Sequence, residues 1–343
     1  MSGPSQPQLI PRARTLEPRP GVRFRTPLLV PSFSSKGFGI SGSGHGRSEL
    51  TDVLTFIGSA LTESVLFSAY DLHYRLLPNA SKYLDKSEVV FLDSGGYEAS
   101  GAYDEGQAFR PVYKHNSWGE PKLRRVLDAL PRHLSLVIVN HDSRGAVAKQ
   151  AENATRFFSR YPRHVHDFLV KPEKQNAATV NVSGLLASAS SLRKFDVIGV
   201  TEKELGVSLL DRLVNIHHLR QGLDKAEVNA PIHVFGSLDP LTVPLYASAG
   251  AEIFDGLSWL RYYFHEGLTV YRDHAGLLAE NKGVQPRWDQ VRAFAINENV
   301  ASIRKLESDL RSFAISGTPA VFGATASAID RGLQVLASRL HGG

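Results

Sequence analysis

The chain contains no cysteine. That absence excludes a disulfide framework, a thiolate zinc site, an iron–sulfur cluster and a cysteine nucleophile. It is compatible with a reducing cytoplasm, the compartment expected here. Long apolar runs are also lacking: none approaches the ~18 residues of a membrane span, and no apolar core of a secretory signal is read near the start. Net positive charge is scarce outside one stretch. The net charge is +5, and most of it sits in residues 1–25, where Arg12, Arg14, Arg19, Arg23 and Arg25 face a single Glu17. Pro4, Pro7, Pro11, Pro18 and Pro20 forbid a helix there, so an extended basic arm is expected. It reads equally as a solubilising tail or as an arm that touches nucleic-acid phosphates.

What is present is an ordinary globular composition, 42% apolar and 21% charged over 343 residues. That length suits two domains or one α/β barrel. Short Val/Ile/Leu/Phe-rich runs predict strands at Pro27–Val30, Val65–Ser68, Val89–Leu92, Leu134–Val139, Phe168–Val170, Val197–Val200, His233–Phe235 and Glu252–Phe254. Their lack of alternation is expected of parallel strands buried on both faces. Helical spacing appears between them at Ala146–Arg160, Ser208–Leu223 and Leu241–Ala249. Eight such units predict a (β/α)8 TIM barrel over residues 26–275. Residues 276–343, with helical patterns at Trp288–Phe294 and Asn299–Phe313 and a Gly/Ala/Ser-rich end, read as helices closing it.

Polar groups recur where these strands end: Asp71, Asp93-Ser94, Asn140-His141-Asp142, Lys171, Thr201-Glu202, Gly236-Ser237 and Asp255. In a TIM barrel the active site is built at the C-terminal strand ends, although loops are polar by default. Three other signals are weaker. Gly37-Phe38-Gly39-Ile40-Ser41-Gly42 fits G-x-G-x-x-G, but further glycines at 44 and 46 point to a loop rather than a dinucleotide fingerprint. His164-Val165-His166 resembles a metal-binding pair but precedes its strand, which places it on the stability face. His217-His218 lies in a helical stretch and reads as surface.

The segment Phe91-Leu92-Asp93-Ser94-Gly95-Gly96-Tyr97-Glu98 resembles the D-S-G-G-[FY]-Q signature of tRNA-guanine transglycosylases. Further likenesses follow in order. Ser68-Ala69-Tyr70-Asp71-Leu72 with Leu76-Leu77-Pro78 is similar to N-T-Y-H-L…L-R-P, and Asp142 falls at the family's F-D-E aspartate. Ile198-Gly199-Val200 is similar to G-G-L, and His233 through Pro240 to M-G-V-G-x-P. Gly250-Ala251-Glu252-Ile253-Phe254-Asp255 is similar to G-[IV]-D-M-F-D, with Arg261 placed like the arginine of P-T-R.

The resemblance implies a base exchange through an oxocarbenium-like state. Asp255 would be the nucleophile and Asp93 the acid/base group. Taken singly, Asp93 reads as a turn residue and Asp255 as a helix cap. Ser94, Gly95 and Gly96 would let backbone approach the base, Tyr97 would stack on it, and Asp142, Lys171 and Gly199 would complete the base pocket. Arg261 would meet the nucleic-acid backbone. No cofactor or catalytic metal is implied, and without cysteine the family's structural zinc subdomain cannot be built.

The departures from the pattern are Ser68 for Asn, Glu98 for Gln, and Val170-Lys171-Pro172 for V-Q-G. Because the first two belong to the ribose side of the family's pocket, they favour DNA slightly over tRNA as substrate, as in the DNA-guanine transglycosylases of phages and genomic defence islands. The expected co-substrate is a 7-deazaguanine base. A homodimer, a complex with other modification proteins and a non-catalytic nucleic-acid-binding homologue stay open.

Overall fold

The computed structural model describes residues 9–36, 38, 49–77, 80–100, 115–280, 282–283 and 287–342. The glycine-rich motif at Gly37–Gly42 (Phe38 excepted), Gly44, Gly46, Pro78, Pro4 and Pro7 lie outside the described residues.

Eight parallel strands close into a barrel: β3 Leu28–Phe33, β4 Ser64–Ser68, β5 Val89–Asp93, β6 Val137–Val139, β7 Val165–Val170, β8 Val197–Thr201, β9 Ile232–Phe235 and β10 Ile253–Gly256. Each pairs with its successor, and β10 pairs with β3 in the register Asp255↔Val30. All eight overlap the runs expected from the sequence, with shifted ends, and the fold is a (β/α)8 barrel with extra C-terminal helices. Strand geometry then divides the side chains. Leu28, Val30, Leu66, Val89, Phe91, Val137, Val139, Val165, Leu169, Val197, Phe235 and Ile253 form the interior core. The intervening residues, such as Leu29, Phe67, Leu92, Ile138, Phe168 and Val234, pack outward under the helices. Interior positions nearest the C-terminal ends are polar: Ser32, Ser68, Asp93 and Asp255.

The basic arm is largely not free. β1 Arg14–Arg19 and β2 Val22–Thr26 form an antiparallel hairpin that turns at Gly21. Every second residue of β2 is apolar, so Val22 and Phe24 plug the interior core from the N-terminal end of the barrel. Arg14 makes a two-point contact with Glu252, which is fully buried just before β10 (2.6 and 2.7 Å). Arg19 donates to Asp196, just before β8, at 2.9 Å, and Arg12 pairs with Asp224. Prolines exclude a helix but not an edge hairpin, and acids at the strand starts supply what the arginines need. Arg23 and Arg25 are exposed on the hairpin's outer face. The arm therefore binds the face opposite the strand ends at which Asp93 and Asp255 sit.

His164 and His166 also belong to that end. β7 begins at Val165, earlier than expected; His164 accepts from the Leu136 amide at 3.1 Å, and the His166 ring stacks on Phe158. Beyond the barrel, β11 Tyr262–His265 and β12 Leu268–Tyr271 form a second hairpin that the sequence reading missed. The two helical patterns after it are one helix, Trp288–Ser316. Its Glu307 accepts the Leu29 amide of β3 at 2.6 Å. A last helix spans Ala326–His341, and no described helix is long and apolar enough to cross a membrane.

Candidate active site

The turn after β5 is shaped by two glycines. Gly95 has φ +85°, and a Cβ there would come within 2.7 Å of Tyr70 Cβ and 2.9 Å of Trp118 Nε1. A Cβ on Gly96 would lie 2.7 Å from the Asp142 carboxylate. Only glycine tolerates both the conformation and the close approach. The result folds Asp93 back over its own turn, where it accepts the Gly95 amide at 2.9 Å. Ser94 reaches toward Asp142 at 3.3 Å, and its carbonyl accepts from Trp118 at 2.8 Å.

Asp93 belongs to a group of buried acids. Glu98, on the short helix Gly96–Ala99, accepts from the Ser68 hydroxyl at 2.7 Å and from Ser34. Asp71 accepts the Ser35 amide at 2.7 Å and its hydroxyl. Among the described residues, no lysine or arginine pairs with any of the three. Burial raises Asp93 most, followed by Glu98; the Gly95 amide opposes, while Asp142 and Asp255 add, leaving it at about 8. Burial likewise lifts Asp71 to about 7 against the Ser35 bonds, and burial with Asp71 lifts Glu98 to about 7 against Ser34 and Ser68. A carboxyl kept neutral near pH 7 is suited to donate a proton.

Asp255 is held differently. Its Oδ2 accepts the Ser32 hydroxyl at 2.8 Å, and its Oδ1 accepts the Gly236 amide at 3.0 Å. It is 6% exposed, so its carboxylate sits at the floor of the barrel mouth rather than at the rim. Both Asp93 and Asp255 occupy C-terminal strand ends, the same end of the barrel.

The other expected site residues divide into two groups. Ser94, Gly95, Gly96, Tyr97 and Asp142 gather around Asp93. Lys171 follows β7 with its ammonium 3.9 Å from Asp142, but it is anchored on Glu204 at 2.7 Å and Thr201 at 3.3 Å. Tyr97 carries the buried Lys36 ammonium 4.5 Å from its ring centre, and its hydroxyl accepts from Arg261 at 3.0 Å. Arg261 thus braces Tyr97 inside the site. Gly199 lies deeper, in mid-strand, where a Cβ would come within 2.6 Å of Phe235 and 2.7 Å of Asp167. Its place in the fold is to admit those two side chains.

Sequence reasoning missed Ser32, Lys36 and the pair Asp167 and His233. Asp167 and His233 stand inside apolar runs, VHDFLV and IHVF, and that interruption is the signal that marks them. Among the described residues, no three acid or imidazole side chains converge as a metal ion requires. No protein-family model matches the chain, and no curated protein matches it.

Proposed function

We propose that this chain is a nucleic-acid guanine transglycosylase, exchanging guanine for a 7-deazaguanine base through an Asp255 glycosyl ester. The observation that carries the reading is the unlike treatment of two carboxyls at one barrel mouth. Asp93 is kept protonated by burial and acidic neighbours, whereas Asp255 is fixed by a hydroxyl and an amide, both donors to a carboxylate. A carboxyl held neutral suits the acid, and one offered two hydrogen-bond donors suits the nucleophile. The ordered likenesses to the transglycosylase signatures support the same assignment.

In the first half-reaction, Asp255 bonds to C1′ as the C1′–N9 bond breaks. The departing electron pair stays with guanine, which takes its proton from Asp93. In the second, the N9 of the entering base bonds to C1′ and gives its proton to Asp93, while the ester electrons return to Asp255. Tyr97 would stack on the base, with Lys36 and Arg261 holding the ring. Asp142, beside Gly96, would accept from the base's N–H edge, and Lys171 would donate to its carbonyl. The Ser68–Glu98 contact closes the side where the family has Asn and Gln, which favours a deoxyribose and hence DNA. In a duplex the target base must first be flipped out, at a cost of a few kcal/mol.

The test is incorporation of labelled guanine, or of a 7-deazaguanine base, into DNA and tRNA offered separately. Incorporation is expected with the wild type and lost with Asp255→Asn. Incorporation into tRNA alone would overturn the DNA preference. None into either polymer, with binding retained, would favour a non-catalytic nucleic-acid-binding homologue.

A further inference from the structure

Beneath Asp255, three ionisable side chains from three strands meet inside the barrel. Asp167 of β7 and His233 of β9 are wholly buried, and Asp255 of β10 nearly so. His233 Nδ1 lies 2.7 Å from Asp167 Oδ2, and its Nε2 lies 3.3 Å from Asp255 Oδ1. The first distance is a full hydrogen bond; the second is a charge contact off the hydrogen-bond line. The ring is fixed from the sides by Phe235, with centroids 3.8 Å apart, and by the edge-on Phe91 at 5.4 Å.

We propose that His233, clamped by Asp167, is a positioning residue for Asp255: it orients that carboxylate and stabilises it as the group released when the entering base takes C1′. This rests on the transglycosylase reading.

A purely structural trio is a poor account of these contacts. The second oxygen of Asp167, Oδ1, is buried without a hydrogen-bond partner, so His233 is what compensates this acid. An uncompensated buried carboxylate is strongly destabilising; burial raises the Asp167 pKa and His233 opposes that rise, so an imidazolium is the partner that lets this acid ionise. The charged groups facing it are Asp167 from β7 and Asp255 from β10. Burial alone would lower the His233 pKa; Asp167 first and then Asp255 outweigh it and raise it to about 9. The imidazolium has only one contact to spare, and it faces the proposed nucleophile.

The chemical consequence is directional. Forming the ester neutralises Asp255 and forfeits its contact with the imidazolium, while breaking the ester restores the carboxylate and regains that contact. His233 therefore favours breakdown. In that step the N9 of the entering base bonds to C1′, the C1′–Oδ bond breaks with its electron pair returning to Asp255, and the N9 proton passes to Asp93.

Two measurements test this on the full chain. The first uses the wild type: nitrogen NMR of labelled histidine at pH 7.5 should find both His233 ring nitrogens protonated, and Asp167→Asn should lose that state. A neutral ring in the wild type overturns the proposal. The second follows adduct formation and breakdown on a guanine-containing oligonucleotide by rapid quench. His233→Gln should slow breakdown about tenfold, because the lost charge contact lies off the hydrogen-bond line and is worth less than a full hydrogen bond to a charged group. Formation should change less, so that adduct accumulates, an outcome that general loosening of the site would not produce. Should His233→Gln not fold, Asp167→Asn/His233→Gln removes acid and cation together and carries the same measurement. Unchanged partial rates beside an active wild type sink the proposal alone. A wild type inactive on both polymers sinks the transglycosylase reading, and the proposal with it.

Discussion

At the N-terminal end of the barrel, acids are met by arginines; at the C-terminal end, buried acids are met by hydroxyls, amides and one another. Glu252 and Asp196 each pair with an arginine of the first hairpin, and Asp224 pairs with Arg12 just before it and meets Arg220 at 2.8 Å. Asp71, Asp93 and Glu98 crowd the opposite end and hold their protons to about pH 7 or 8. One end pairs acids with cations, and the other leaves its acids protonated near neutral pH. The same side-chain chemistry serves both ends, and the partners decide which.

The sharpest way to break that contrast is at Asp93. Asp93→Asn keeps the shape but removes the exchangeable proton, and base exchange should fall ~10²–10⁴-fold, the usual worth of general acid–base catalysis. Its melting temperature should not fall, because a buried acid that resists ionisation is being replaced by a neutral amide. Equal losses of activity and stability would erase the difference between the ends.

Arg14→Ala is the counterpart at the other end. It strips the two-point partner from a fully buried Glu252, and should cost about 3 kcal/mol in denaturant unfolding. Exchange per folded molecule should be unchanged, since the hairpin is at the opposite end from Asp93 and Asp255.

A smaller effect follows from pH. The acids at the strand ends start from ordinary values of 3.8 and 4.5 and are raised on folding. Between those values and about 8 these acids bind more protons in the folded than in the unfolded chain, so their stabilisation is fully present at low pH and is lost as pH rises. His233, raised from 6.5 to about 9, acts in the same sense over its own window. The melting temperature should drop on the order of 5 °C from pH 5.5 to pH 8.5. Glu98→Gln should flatten the slope, and a scan that rises with pH would contradict it.

The least effect is expected at Tyr97→Phe, which removes the hydroxyl that accepts from Arg261 but keeps the stacking face. Base affinity should weaken by about two- to fivefold, an ordinary hydrogen bond's worth, as read from the concentration dependence of exchange.

All eight barrel strands were legible because residues buried on both faces must be apolar, and apolar runs survive in sequence. The turn chemistry of Asp93 through Gly96 was legible for a similar reason: few residues tolerate a left-handed turn and a carboxylate pressed against the backbone. The first hairpin was not, because the acids that hold its arginines lie more than 170 residues away. The helix Trp288–Ser316 read as two because the polar residues Asn297 and Glu298 part its apolar residues just before Asn299. That residue is buried to serve the Phe264 amide and the Trp259 and Tyr262 carbonyls. Asp167 and His233 each look anomalous alone and make sense only once β7 and β9 bring them together.

The most direct test is whether Asp255 becomes covalently attached to nucleic acid. Wild type incubated with a guanine-containing DNA oligonucleotide, denatured, digested and weighed by mass spectrometry should yield an adduct on the peptide bearing Asp255. Addition of a 7-deazaguanine base before denaturation should discharge it, and Asp255→Asn should form none. An adduct on any other residue, or none on DNA or tRNA, would contradict the assignment of Asp255 as nucleophile.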